Sequence, residues 1–138
     1  MDNQIKLPLF VIAEDDPLIE YLRDLDELNT CGMEAIDVAD ELYFAYDADG
    51  QHVKLVTVNK RGEIERPTED EFYIPFLGRF KSIVNDKEIK AIPLGTFDKN
   101  KIISLIKKDL PIYGYNVDGL DMNELIELYE DKRRRGIR

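Results

Sequence analysis

The chain has 138 residues, 43% hydrophobic and 35% charged, with a net charge of −10 and a single cysteine. That length suits one domain, residues 1–138, with enough apolar material for one core beneath a heavily charged surface. The negative balance argues against nucleic-acid binding, the lone Cys31 excludes an internal disulfide, and no apolar run approaches the ~20 residues a membrane span requires.

Met1-Asp2-Asn3-Gln4 lacks the basic start of a secretory signal, so a cytoplasmic location is expected. Leu7 to Ala13 is apolar and strand-length, and Glu14-Asp15-Asp16-Pro17 ends it in a turn. Asp16 with Pro17 then predicts a helix start, continued by a stripe of Leu18, Leu22, Leu25 and Leu28 and stopped at Gly32. Glu34 to Ala39 reads as a short extended piece. Leu42 to Tyr46 and Val53 to Val58 are β-prone runs around Asp47-Ala48-Asp49-Gly50, a hairpin signal.

Asn59-Lys60-Arg61-Gly62 is a second turn, after which Ile64 extends the meander. Thr68 and Glu71 have capping-box spacing, but Pro75 interrupts any helix begun there. A short helix is expected from Pro75 to about Val84, and a strand from Ile89 to Leu94, where Pro93 marks an edge or an end. Asp98 caps a helix with Ile102, Ile106 and Leu110 inside, and Pro111 stops it. Tyr113 to Gly119 is a loop. Asp121 and Glu124 form the capping box of a last helix whose acid-to-base order explains the basic end, including a Glu130–Arg134 pair. The expected fold is α+β: a mostly antiparallel sheet containing a hairpin, with about four helices packed on it.

Residues with chemistry are sparse. His52, the only histidine, follows the hairpin turn and has no His/Cys cluster for a metal. Asp47 and Asp49 resemble calcium ligands, but Ala45 and Val56 occupy positions where an EF-hand loop needs oxygen donors. No nucleophile triad or glycine-rich nucleotide loop is present, so the sequence implies no cofactor, no metal and no catalytic residue.

The charge itself is the informative feature. Between Glu14 and Asp49 there are thirteen carboxylates and one base, Arg23, a net of −12, which leaves +2 for the rest of the chain. Carboxylates on one surface attract a basic partner and speed its arrival. The expected partner-binding residues are Glu20, Asp24, Glu27, Asp37, Asp47 and Asp49, with Tyr46 as an aromatic anchor. The bland alternative is a solvated face that keeps the chain soluble.

Ala35-Ile36-Asp37-Val38, followed by Tyr43-Phe44-Ala45-Tyr46-Asp47-Ala48-Asp49-Gly50 and the strand to Leu55, resembles a pattern in small bacterial immunity-type proteins of polymorphic toxin systems. There an I-D-V element precedes a Y-x-A-Y-D-x-x-G hairpin. The resemblance implies a non-enzymatic protein that binds and silences a toxin, and it transfers no functional residue; the acidic charge fits a basic surface such as the substrate channel of a nuclease. The alternatives are a small enzyme or small-molecule binder with a pocket between helices and sheet, and a structural or assembly subunit.

Overall fold

Leu9–Ala13 (β1) is apolar at every position because both of its faces are covered. In the computed structural model it lies inside a five-stranded antiparallel sheet with Asp16–Leu22 (β2), Tyr43–Tyr46 (β3), Gln51–Val58 (β4) and Glu88–Phe97 (β7), in the order β2-β1-β3-β4-β7. Glu69–Ile74 (β5) and Gly78–Ile83 (β6) form a separate two-stranded sheet. The helices are Ala35–Ala39 (α1), Lys99–Asp109 (α2) and Met122–Arg134 (α3), with 3-10 turns at Leu25–Asn29 and Leu110–Tyr113. The structure describes residues 4–14, 16–31, 35–59, 61–66, 69–74, 78–83 and 88–136.

Alternation along the strands sorts the core into two clusters. Phe10, Ile12, Ile19 and Tyr46 point to α2 and α3 and pack on Ile102, Ile106, Leu125 and Tyr129. Leu9, Val11, Leu22, Ala45, Val53 and Leu55 point the other way, against Leu28 of the first 3-10 turn and Val38 of α1. Tyr43 and Tyr46 accordingly face opposite sides: Tyr46 is core, and Tyr43 is half-buried under the second cluster.

The α+β class and the antiparallel sheet agree with the sequence, but the described residues hold three α-helices rather than about four. The expected helix after Pro17 is instead strand β2. Ile19 and Tyr21 fit a pleated surface, and Asp16 closes a hairpin opposite Ala13 instead of starting a helix. Only Leu25–Asn29, with Asp24 as its cap, keeps a helical turn. The extended piece expected at Glu34–Ala39 is helix α1 over Ala35–Ala39, ended by the N–H groups of Glu41 and Leu42 donating back to Val38 and Asp37; Glu34 lies outside the described residues.

The helix expected over Pro75–Val84 is replaced by β6 across Gly78–Ile83, paired with β5 from Phe72 opposite Phe80 to Ile74 opposite Gly78. Glycine at 78 weakens a helix, and the aromatic and β-branched residues on either side favour a ladder. Thr68, Pro75 and Val84 lie outside the described residues. Glu130 does not pair with Arg134; it meets Arg23 across the fold, and Arg134 pairs with Asp131.

Other signals hold. Pro93 lies in β7, the edge strand of the sheet. Asp98 caps α2, and Asp121 with Glu124 forms the complete capping box of α3. The Asp47–Gly50 turn also holds. Gly50 has φ +79° and lies so close to the start of α2 that a Cβ would fall 2.5 Å from Lys99 Cα, while its carbonyl accepts from the Asp98 N–H at 2.8 Å. Only glycine satisfies both demands.

Candidate binding cleft along the β2 edge

β2 pairs only with β1, so its other edge carries backbone groups that need partners. The Ile19 N–H points to that outer edge and donates to Asp109 Oδ1 at 3.2 Å. By the two-residue period of a strand, Tyr21 presents its backbone to the same side. One residue past the end of β2, the Arg23 N–H donates to Glu27 Oε2 at 3.3 Å. Carboxylates therefore meet the backbone on either side of Tyr21.

Asp109 ends α2 and is 0% exposed. Its Oδ2 accepts from the Tyr129 hydroxyl at 2.6 Å. Tyr129 stacks on Tyr21 with centroids 4.9 Å apart and planes 4° from parallel, and Phe10 tilts against both rings. The Tyr21 hydroxyl donates to Glu130 Oε2 at 2.6 Å, and Arg23 Nε lies 3.3 Å from Glu130 Oε1. Arg133 Nη1 donates to Glu27 Oε2 at 2.9 Å. Burial, reinforced by the neighbouring carboxylates, pushes the pKa of both phenols upward, and the bond to Glu27 raises that of Arg133. The two hydroxyls stay protonated at neutral pH, so they act as fixed donors rather than as acids or bases.

A cleft of about 820 Å³ borders this edge. It is lined by Leu18 to Leu22 of β2, by Glu27, Thr30 and Cys31, and by Tyr113, Lys132 and Arg133 from the C-terminal part of the chain. Lys132 Nζ sits 3.7 Å above the Tyr113 ring. Cys31 is half-buried with its Sγ 3.8 Å from the Leu28 carbonyl. The exposed side chains of Glu14, Asp24 and Asp26 stand beyond the two ends of β2.

The seven residues expected at a partner surface divide. Glu20 and Glu27 line this cleft, and Asp24 adjoins them, its Oδ1 accepting from the Glu27 N–H at 3.1 Å. The other four lie elsewhere. Tyr46 is 6% exposed and belongs to the core, so it is no surface anchor. Asp47 is 1% exposed; it accepts from the N–H groups of Asp49, Gln51 and Lys6 and from Gln51 Nε2, all within 3.0 Å. It is the internal pin of the hairpin turn and cannot meet a partner. Asp49, at the turn, lies 3.4 Å from Lys6 Nζ. Asp37 is half-buried in α1, the helix that packs beside β4 and β7 at the far side of the sheet.

The fold thus breaks up the continuous acidic face that the sequence suggested. Cations from other parts of the chain also meet it: Arg66 pairs with Asp40, Lys54 with Glu41 and Arg133 with Glu27. The bond from Arg66 lowers the Asp40 pKa. The sequence reading missed Asp109, Tyr113 and Lys132. Asp109 had a legible signal: it stands three residues after Ile106, on the buried stripe of an amphipathic helix, where a carboxylate needs internal donors.

A second, smaller hollow of about 370 Å³ opens where β3 and β4 hold register only at Ala45↔Val53 and Tyr46↔His52. Phe44, Lys54, Leu94 and His52 line it. His52 Nδ1 lies 3.1 Å from the Thr96 carbonyl and 2.9 Å from its Oγ1. The Thr96 carbonyl only accepts, whereas its hydroxyl donates or accepts, so either imidazole tautomer finds a partner here. Among the described residues, no group of three or more His, Cys, Asp or Glu side chains is placed to hold a metal ion, and no helix is long and apolar enough to cross a membrane.

The class that the fold and cleft define is an α+β domain with helical elements on both faces of an antiparallel sheet and a cleft along one edge strand. No protein-family model matches the chain, and no significant match was found among curated proteins or solved structures.

Proposed function

We propose that the protein is a non-enzymatic binding module whose β2-edge cleft receives a basic segment of a partner protein. The observation that carries this reading is the cleft itself, which sets the carboxylates of Glu20 and Glu27 beside a strand edge. The chain's net charge of −10 draws a cationic partner in from a distance, and in the cleft that partner exchanges for Arg133 at Glu27. The side chains around the cleft support binding over turnover: the phenols are held protonated, and Glu27 and Glu130 are held by arginines. A toxin or nuclease with a basic channel has the required chemistry, and together with the likeness of residues 35–55 this makes an immunity protein or antitoxin the specific form of the proposal.

The test is affinity capture at low salt, identification of the captured protein, and binding of that purified protein to wild type and to a Glu20→Gln/Asp26→Asn variant. Both changes spare the Asp24 cap and the Glu27–Arg133 pair. The variant should bind about tenfold more weakly and with less salt dependence. Unchanged affinity and salt dependence would remove the cleft carboxylates from the account. A second reading, small-molecule binding at the β3–β4 fork, is favoured by His52 and Lys54 lining the same hollow as Phe44 and Leu94. It predicts a ligand whose binding His52→Ala abolishes.

A further inference from the structure

Lys99, Lys101, Lys107 and Lys108 of α2 have no ion pair and no ring partner among the described residues. Outside β5 and β6, every other described lysine or arginine has one: a carboxylate in each case, or the Tyr113 ring for Lys132. The uncommitted cations of an acidic chain are thus gathered on one helix. Its own acids do not neutralise them. Asp109 is buried and bound to Ile19 and Tyr129, and the exposed cap Asp98 leaves a net of +3 on the outer face.

The helical period sorts the four into two rows. Lys101 and Lys108 share a flank two turns apart, about 10 Å at ~1.5 Å per residue, and Lys99 and Lys107 lie along the other. Asn100 and Ser104, short and exposed, fall between the rows. One turn beyond Lys108, Ile112 is 60% exposed. Going beyond the cleft reading and independently of it, we propose that this outer face of α2 docks a short acidic segment of a protein partner, with an apolar residue of that segment against Ile112. A lysine is a point charge on a flexible stem, so it meets carboxylates from many directions. Each exposed pair contributes little, so recognition needs several acids together, and the two rows receive them on both sides of one segment. The length follows from the surroundings. α2 has eleven residues and spans about 16 Å. Charges beyond a screening length of about 8–10 Å count little, so a segment confined to the helix meets mainly its lysines. A nucleic-acid duplex or an anionic bilayer reaches well past α2 and sets further negative charge against the acidic remainder of the chain.

The experiment titrates the ¹⁵N-labelled full chain at low salt with a blocked Glu/Ala peptide of about the length of α2 carrying a leucine at each end. The same peptide with Gln for Glu, a DNA duplex and phosphatidylserine vesicles are run beside it. The Glu peptide should shift the amides of Lys99–Lys108 and Ile112, and the Gln peptide should not bind. Lys101→Gln/Lys108→Gln removes two exposed pairs and should weaken binding about fivefold, whereas Lys90→Gln on β7 should leave it unchanged. Ile112→Ser should weaken it about threefold. Absence of binding by the Glu peptide, or binding that the double variant leaves unchanged, would overturn the inference. Tighter binding of the duplex or the vesicles through the same lysines would assign the face to an extended polyanion and overturn the acidic segment. An Ile112→Ser variant that binds like wild type would overturn the apolar contact. The residues tested lie outside the β2-edge cleft, so none of these outcomes bears on the reading of that cleft.

Discussion

Removing one oxygen from Tyr129 tests how the β2 edge is held. In Tyr129→Phe the ring, its stack on Tyr21 and its contact with Phe10 all remain, so little packing is lost. What disappears is a 2.6 Å hydrogen bond to a carboxylate that is 0% exposed. A hydrogen bond to a charged group contributes about 1.5–3 kcal/mol, and leaving a buried acceptor short of a donor brings the loss to the upper part of that range. Tyr21→Phe is the matched comparison. It removes a bond of the same length, but Tyr21 is half-buried and Glu130 keeps Arg23, so about 0.5–1.5 kcal/mol is expected. Urea unfolding followed by far-ultraviolet circular dichroism, with a common slope for all variants, measures both. A Tyr129→Phe loss below about 0.5 kcal/mol, or one no larger than that of Tyr21→Phe, would refute the claim that Asp109 depends on donors inside the fold.

Asp47→Asn should lose about 1–3 kcal/mol in the same assay, because an amide nitrogen now faces donors that a carboxylate oxygen accepted. Gly50→Ala should lose at least about 2 kcal/mol, since the new Cβ adds a clash with Lys99 to a backbone at φ +79°. Alkaline pH probes the tyrosine layer. The folded-state pKa values of Tyr21 and Tyr129 lie above the unfolded value of about 10, so their contribution is intact below that pH and is lost as pH rises above it toward the folded values. The unfolding free energy should therefore fall above about pH 10, and the Tyr21→Phe/Tyr129→Phe double variant should show a shallower fall.

The parts of this fold that a sequence shows best are those set by neighbouring residues. The Asp98 cap, the Asp121–Glu124 box and the Asp47–Gly50 turn are each complete within a few positions. The apolar run of β1 also announced its burial. β2 was misread because Leu18, Leu22, Leu25 and Leu28 satisfy a helical spacing, while the choice of strand depends on pairing with β1 and on the distant Asp109. The cleft was only partly legible for a related reason. Glu20, Asp24 and Glu27 are close in sequence and stay close in space, whereas Tyr113, Lys132 and Arg133 arrive from the other end of the chain. Composition revealed the acidic third but not that Asp47 turns inward or that Arg66, Lys54 and Arg133 come to meet its neighbours. Ion pairs of that kind contribute little stability each, but they decide where the net charge shows.

The most direct test is an amide chemical-shift map of the full chain titrated with an alternating Lys–Val peptide at low salt. The account predicts that the largest changes fall together on Leu18–Leu22, Glu27, Thr30 and Lys132–Arg133, the residues around the β2 edge. Changes confined to Asp49, Asp37 or the β3–β4 fork, or no changes at all, would contradict it.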